Sequence, residues 1–204
     1  MLVIGLTGSI GMGKSTISAR FRERGISVFD ADGEVHRLYE GKAVSLIEAA
    51  FPGTTAGRSV DRGKLADALA ADPQSFKRLE DIVHPLVAEA ERAFLRAEAQ
   101  RGAVLAVLEI PLLFETGLAA KVDAVVVASA SAERQRERVL SRPGMTGARL
   151  DIMLRRQMPD VEKRARADFV VDTNGSAAES ERQVDAIVDA LARREGGAFE
   201  RFWK

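Results

Sequence analysis

The sequence predicts an α/β fold in which helices cover both faces of a parallel sheet. Three observations predict it. Five short apolar runs rich in β-branched residues alternate with helix-patterned stretches, the signature of strand–helix–strand units. A glycine-rich phosphate-loop motif follows the first run directly. Between the second and third runs lie about seventy residues of mostly helical pattern, more than one crossover needs, so a helical lobe is expected beside the sheet.

The runs are Leu2 to Leu6, Ile26 to Phe29, Val104 to Ile110, Val122 to Ala128 and Phe169 to Val171. Within the long stretch Asp61 is placed to cap a helix running to about Ala71. Asp72 with Pro73 at the first helical position opens another, and Pro85 begins a third that ends near Gly102. Gly53 to Gly57 reads as a loop. Arg142-Pro143-Gly144 interrupts a helix and Thr146 caps the next, giving a hinged helical hairpin that reads as a lid. Ser176 and Glu179 match a capping box, and Val184, Ile187, Val188 and Leu191 form one apolar stripe behind it that reads as core. The expected organisation is a single unit: core 1–32, 103–130 and 167–204, helical lobe 33–102, lid 131–166.

Composition narrows the function. With 204 residues, 46% of them hydrophobic, the chain can bury a core of its own. Thirty basic and thirty acidic residues cancel, so no global field draws it to nucleic acid or to an anionic membrane. The absence of cysteine excludes disulfides and thiolate metal sites. No basic n-region with an adequate apolar h-region opens the chain and no apolar stretch approaches a membrane span, so a soluble cytoplasmic protein is expected. Neither histidine has a partner at metal-ligand spacing; His36 reads as a surface helix residue and His84, before Pro85, as a structural hydrogen-bonding group.

Residues Gly8 to Ser15 read Gly-Ser-Ile-Gly-Met-Gly-Lys-Ser. Backbone of this composition can curl so that successive N–H groups point at phosphate oxygens. Lys14 then reaches the β- and γ-phosphates, and the Ser15 hydroxyl is a ligand for Mg²⁺. A nucleoside triphosphate with Mg²⁺ is the implied ligand.

Other candidates lie at strand ends. Phe29-Asp30-Ala31-Asp32 sets two carboxylates at the carboxyl edge of the sheet, where α/β proteins bind ligands. Asp32 there is either a general base for an acceptor hydroxyl or the N-cap of the following helix, and the roles can coexist. Glu109 suits a Mg²⁺ ligand, direct or through water, or a merely solvated acid. Leu112, Leu113 and Phe114 read either as packing or as an apolar loop for a substrate's ring. From Glu133 to Asp168 ten basic residues oppose six acidic ones, either a solvated helix face or arginines that clamp a triphosphate.

Taken together, these segments resemble the dephospho-coenzyme A kinase family. The resemblance rests on Gly-Leu-Thr-Gly-Ser-Ile-Gly-Met-Gly-Lys-Ser-Thr at residues 5 to 16, Asp30-Ala31-Asp32, Asp61-Arg62, His84-Pro85, Pro111 to Glu115, Arg142, Gln157-Met158-Pro159, Lys163 to Asp168 and Asn174-Gly175-Ser176. It implies a P-loop kinase three-layer fold with a five-stranded parallel sheet, a helical substrate-binding lobe and a helical lid. It also implies transfer of the ATP γ-phosphoryl group to the ribose 3′-hydroxyl of dephospho-coenzyme A, the last step of coenzyme A synthesis. Carried over by position, Asp32 is the base, acting with Lys14 and Arg142. Gly8, Gly11, Met12, Gly13, Lys14, Ser15 and Thr16 form the ATP phosphate site, with Arg138 and Arg142 from the lid and Asn174 and Gly175 near the ATP base. Arg62, His84, Leu112, Leu113 and Glu115 stand with Asp32 on the acceptor side, and Ser15 and Glu109 on the Mg²⁺. Ser9 and Met12 fall at variable motif positions, where backbone makes the contact and side-chain identity is secondary. The alternative is another small P-loop kinase acting on a nucleoside, nucleotide or metabolite. A GTPase-type switch is disfavoured because the late loop, Asp172-Thr173-Asn174-Gly175, lacks the lysine of the guanine motif.

Overall fold

The computed structural model describes every residue except Pro73. In chain order the strands are β1 (Leu2–Thr7), β2 (Ser27–Asp30), β3 (Thr55–Ala56), β4 (Ser59–Val60), β5 (Leu105–Glu109), β6 (Ala124–Ser129) and β7 (Phe169–Asp172). The helices are α1 (Lys14–Glu23), α2 (Ala31–Tyr39), α3 (Val44–Ala50), α4 (Arg62–Ala71), α5 (Ser75–Gln100), α6 (Ala132–Leu140), α7 (Gly147–Leu154), α8 (Asp160–Ala165) and α9 (Ala177–Leu191). The chain divides into two compact units, Met1–Phe29 with Leu95–Lys204, and Asp30–Phe94.

The main sheet is parallel, in the order β2-β5-β1-β6-β7. All five apolar runs are strands, and β1, buried along its whole length, is the middle one. A strand covered on both faces has no use for polar alternation, which is why β1, β5 and β6 read as continuous apolar runs. Register sets Leu6 beside Glu109 on one side and Thr7 beside Val127 on the other. The carboxyl ends of β1, β5 and β6 therefore finish together, and the phosphate-loop motif leaves from their middle.

Ile17 and Phe21 of α1 and Val184, Ile187, Val188 and Leu191 of α9 pack with Leu2, Ile4, Leu6 and Val126 of the sheet in one buried cluster. Each such side chain contributes roughly 1.5–3 kcal/mol by leaving water. The stripe on α9 is core, as its spacing predicts. Both halves of the capping box before it form: the Ser176 hydroxyl accepts from the Glu179 amide, and the Glu179 carboxylate accepts from the Ser176 amide.

In the second unit Leu38, Ala43, Ile47, Phe51, Val60, Leu65 and Leu69 make a separate core. Asp61 caps α4 as expected, accepting from the Gly63 and Lys64 amides. Two expectations are corrected. Pro85 does not begin a helix but lies inside the single helix α5. An interior proline costs about 3 kcal/mol or more, yet Phe76, Leu79, Ile82, Leu86 and Val87 on both sides of it pack against that core, and the continuous apolar stripe outweighs the missing hydrogen bond. The Gly53 to Gly57 stretch is not all loop: β3 and β4 pair antiparallel around Gly57, whose φ of 64° suits the tight turn. Two-residue strands are too short for a periodic signal. Asp72 accepts from the Gln74 amide and the Ser75 hydroxyl ahead of α5, while Pro73 lies outside the described residues.

Candidate active site

The motif folds into a loop between β1 and α1 that only glycine can follow at its turning points. Gly13, at φ 88°, caps α1, and a Cβ there would stand 3.0 Å from the Thr173 hydroxyl oxygen. At Gly8, φ 150°, a Cβ would stand 2.6 Å from the carbonyl oxygen of Ala128. The start of α1 has no side-chain cap and no acidic residue in its first turn, so neither its N-cap nor its own first turn sets a negative charge against the positive end of its macrodipole. Lys14 and Ser15 open this helix. Lys14 Nζ donates to the Gly8 carbonyl at 2.7 Å, which draws the ammonium back over the loop, and Ser15 is exposed.

Side chains from three other segments hold this loop. Gln135 of α6 donates to the Ile10 carbonyl at 2.8 Å, and the Gln157 side-chain carbonyl accepts the Ile10 N–H at 3.1 Å. The Thr173 hydroxyl, past β7, donates to the Met12 carbonyl at 2.9 Å. Arg138 of α6 donates to the Gly11 carbonyl at 3.4 Å, to the Thr173 hydroxyl at 3.0 Å and to the Thr173 carbonyl. Met12 corrects one expectation. Its side chain belongs to the core cluster, and its sulfur accepts the Ala130 N–H at 3.2 Å, so its identity matters to the packing of β6 against the loop.

Asn174 works in the same region as a bracket: its Oδ1 accepts the Ser131 N–H at 2.8 Å and its Nδ2 donates to Asp172 at 2.8 Å. Gly175 is exposed beside it. Arg142 is exposed in the turn that ends α6, and Thr146 caps α7 through the Arg149 amide, as the hinge pattern predicts.

On the β5 side, Glu109 is half-buried at the strand's end and accepts from the Ser18 hydroxyl of α1 at 2.6 Å. This bond holds its carboxylate against the helix that Lys14 and Ser15 begin. No group of three or more His, Cys, Asp or Glu side chains with metal-holding geometry occurs among the described residues. The donors at hand, the Ser15 hydroxyl and the Glu109 carboxylate, are hard oxygens that fit a Mg²⁺ arriving with phosphate ligands of its own.

Past β5 the loop residues separate. Leu113 is fully buried, and a Cβ on Gly5 of β1 would meet its side chain at 2.7 Å, so the packing reading holds for it and the substrate reading is withdrawn. Leu112 is half-buried. Glu115, counted above on the acceptor side, is an exposed residue whose carboxylate is engaged within the chain: Oε1 accepts the Met158 N–H at 2.6 Å and pairs with the fully buried Lys163 at 3.0 Å.

In the second unit the N-cap of α2 is Asp30, whose carboxylate accepts the Gly33 N–H at 3.0 Å, and not Asp32. Asp32 follows in the first helical turn, exposed, with its backbone carbonyl 2.7 Å from His36 Nδ1. Capping therefore does not account for the second carboxylate. Arg62 and His84 are exposed on α4 and α5, and the Arg62 charge partly offsets the upward shift that burial gives the Tyr39 phenol.

The chain as a whole is similar to known proteins. A family model described as dephospho-CoA kinase matches residues 2–179. The chain belongs to the dephospho-CoA kinase family. Curated relatives of that family include dephospho-CoA kinase from Brucella abortus, 52% identical over 97% of this chain and 99% of its own length. Another, from Agrobacterium fabrum, is 55% identical over 94% of this chain and 98% of its own. Among solved structures, a Thermus thermophilus protein superposes with a TM-score of 0.79 at 38% identity, covering 93% of this chain and 97% of that one. The shikimate kinase of Acinetobacter baumannii shares the fold, with a TM-score of 0.55 at 15% identity over 94% and 93%. For a dephospho-CoA kinase family member, the residues that sequence reasoning left without a role are Gln135, Gln157, Lys163 and Thr173. Gln157 and Lys163 lie in segments that carried the resemblance. Gln135 and Thr173 gave no signal, since a polar residue next to a strand or on a helix reads as solvated until its partner is known.

Proposed function

We propose that this chain transfers the γ-phosphoryl group of ATP to the ribose 3′-hydroxyl of dephospho-coenzyme A, forming coenzyme A and ADP in the last step of coenzyme A biosynthesis. The observation that carries the reading is a braced phosphate loop leading into a helix with no acidic residue in its first turn, in a chain of this family. The reaction forms a bond between the 3′-oxygen and the γ-phosphorus and breaks the bond to the bridging oxygen of ADP, while the hydroxyl proton leaves to a base. Asp32 is that base. The amides from Gly8 to Thr16 hold the phosphates, and Lys14 and Arg142 offset charge on the group in transfer. Ser15 and Glu109 would hold Mg²⁺, directly or through water; when bound, the ion neutralises charge on the β- and γ-phosphates. Arg138 keeps the Gly11 and Thr173 backbones in place, and Asn174 and Gly175 border the base of ATP. Residues 33–102 receive the acceptor, with Arg62, His84 and Leu112 as its contacts, and 131–166 close over ATP as a lid.

No helix among the described residues is long and apolar enough to cross a membrane, and we read the protein as cytoplasmic. The test is incubation with ATP, Mg²⁺ and dephospho-coenzyme A, read by mass spectrometry. The expected product is heavier than the acceptor by one phosphoryl group, with one ADP per turnover. Efficient phosphorylation of a nucleoside monophosphate or of shikimate, with dephospho-coenzyme A untouched, overturns the assignment.

A further inference from the structure

We propose that Lys163 is a positioning residue for phosphoryl transfer, tying the segment that follows the lid hairpin to the residue just before the phosphate loop; the proposal rests on the kinase reading above. Lys163 is on α8 and is fully buried, a rare place for an ammonium. Its Nζ lies 3.0 Å from the Pro111 carbonyl and 3.0 Å from Glu115 Oε1. The same Pro111 carbonyl accepts from the Thr7 hydroxyl at 3.0 Å, and Thr7 immediately precedes Gly8. Glu115 Oε1 accepts the Met158 N–H, and the adjacent Gln157 accepts the Ile10 N–H inside the loop. The contacts close a ring: Thr7, Pro111, Lys163, Glu115, Met158 and Gln157, Ile10, and back along the loop to Thr7.

Packing alone does not call for a lysine here. An ammonium taken out of water is penalised unless it is paired, and a well-packed apolar side chain of similar volume commonly replaces a buried ion pair at no loss of stability. What the lysine adds is direction: a hydrogen bond to Pro111 and an ion pair with Glu115 that set both relative to α8. The other inward group of α8, Asp160, accepts from Ser129 at the end of β6 at 2.7 Å, so one short helix fixes the ends of two strands that flank β1. Pro111 stands two residues past Glu109, and the ring therefore also fixes the candidate Mg²⁺ carboxylate. Because Nζ is sealed from solvent, Lys163 acts through Ile10 and Glu109 and not on the substrates.

The experiment compares wild type, Lys163→Met, Glu115→Gln and the double variant, each well below its unfolding midpoint. Amide hydrogen exchange in nucleotide-free protein is the first readout. The proposal expects the Ile10 and Met158 amides to exchange at least about tenfold faster in every variant while amides of β6 and α9 keep wild-type protection. Steady-state kinetics is the second: kcat falls on the order of 10²-fold with little change in the KM for ATP, and the double variant is no slower than the slower single one, since all three break one ring. Unchanged exchange at Ile10 and Met158 overturns the proposal. So does a uniform rise in exchange across the sheet with kcat per folded molecule intact, which is the mark of packing alone. Where Lys163→Met fails to fold, Glu115→Gln carries the same measurements. Wild-type protein without activity on dephospho-coenzyme A ends the kinase reading and leaves exchange to decide whether the ring positions the loop.

Discussion

The phosphate loop and the helical unit 30–94 present their candidate groups in opposite ways. Around the loop the polar groups are spent on one another: Gln135, Arg138, Gln157 and Thr173 all bond to its backbone. In the helical unit Asp32, Arg62 and His84 are exposed on three helices, and the buried contacts beneath them are apolar. The difference agrees with the two tasks proposed for them. A polyphosphate common to many enzymes is best met by preorganised backbone, whose alignment costs nothing at the moment of reaction. An acceptor particular to one enzyme is best met by side chains, which can be changed without disturbing a fold.

The contrast can be broken first at Asp32. Asp32→Asn should lower kcat by about 10²–10⁴-fold and leave ATP binding nearly unchanged; calorimetry and steady-state rates on one preparation decide it, and retained turnover removes Asp32 from the base role. Lys14→Ala should cost about 10²–10³-fold in turnover and also weaken ATP binding, because its charge faces phosphate in ground and transition states alike. Wild-type kinetics in that variant would mean the loop does not hold the transferred group. Arg142→Ala sharpens the comparison from the proposed lid, with about a tenfold loss in kcat and a smaller loss in ATP affinity. Equal losses would make it a ground-state anchor.

Two smaller effects concern the bracing itself. Thr173→Val removes the donor to Met12 and an acceptor of Arg138 and should destabilise the fold by about 1–3 kcal/mol in urea unfolding. An unchanged midpoint would show that the loop is held without it. Between α1 and α9, Asp185 accepts from Arg20 at 2.7 Å and from Arg24 at 2.9 Å, and these guanidinium bonds pull its pKa down to about 2. Its contribution is complete above the ordinary carboxylate value of 3.8 and is lost as the pH falls toward 2. Asp185→Asn should flatten that part of the acid unfolding curve only slightly, since these ion pairs lie at the surface and are only half-buried.

What the sequence made legible follows from what is local. Apolar runs, the glycine spacing at Gly8, Gly11 and Gly13, and the caps at Asp61, Thr146 and Ser176 involve neighbours within a few residues, and all formed as read. The misreadings came where distant packing overrode a local sign. Pro85 is a stop signal by itself, but its helix has a core to cover on both sides. Asp30 and Asp32 are equivalent caps by composition, and only the chain direction after β2 selects Asp30. Leu113 and Glu115 share a motif, and neither burial beneath Gly5 nor pairing with Lys163 leaves a trace in spacing. The bracing of the loop was illegible for the same reason: Gln157 is 147 residues from its partner.

The placement of β1 in the middle of the sheet bears on how the polypeptide is made. Its neighbours are β5 and β6, so Leu2 waits for Leu105 and Ile4 for both Val107 and Ala124. Such distant pairing carries a large loop-closure penalty and slows folding. On a ribosome, which adds about 5–20 residues per second, the first apolar run would emerge many seconds before either neighbour exists. During that interval the nascent N-terminus is a sticky, unpaired edge, and a chaperone that shields it should raise the yield of native enzyme.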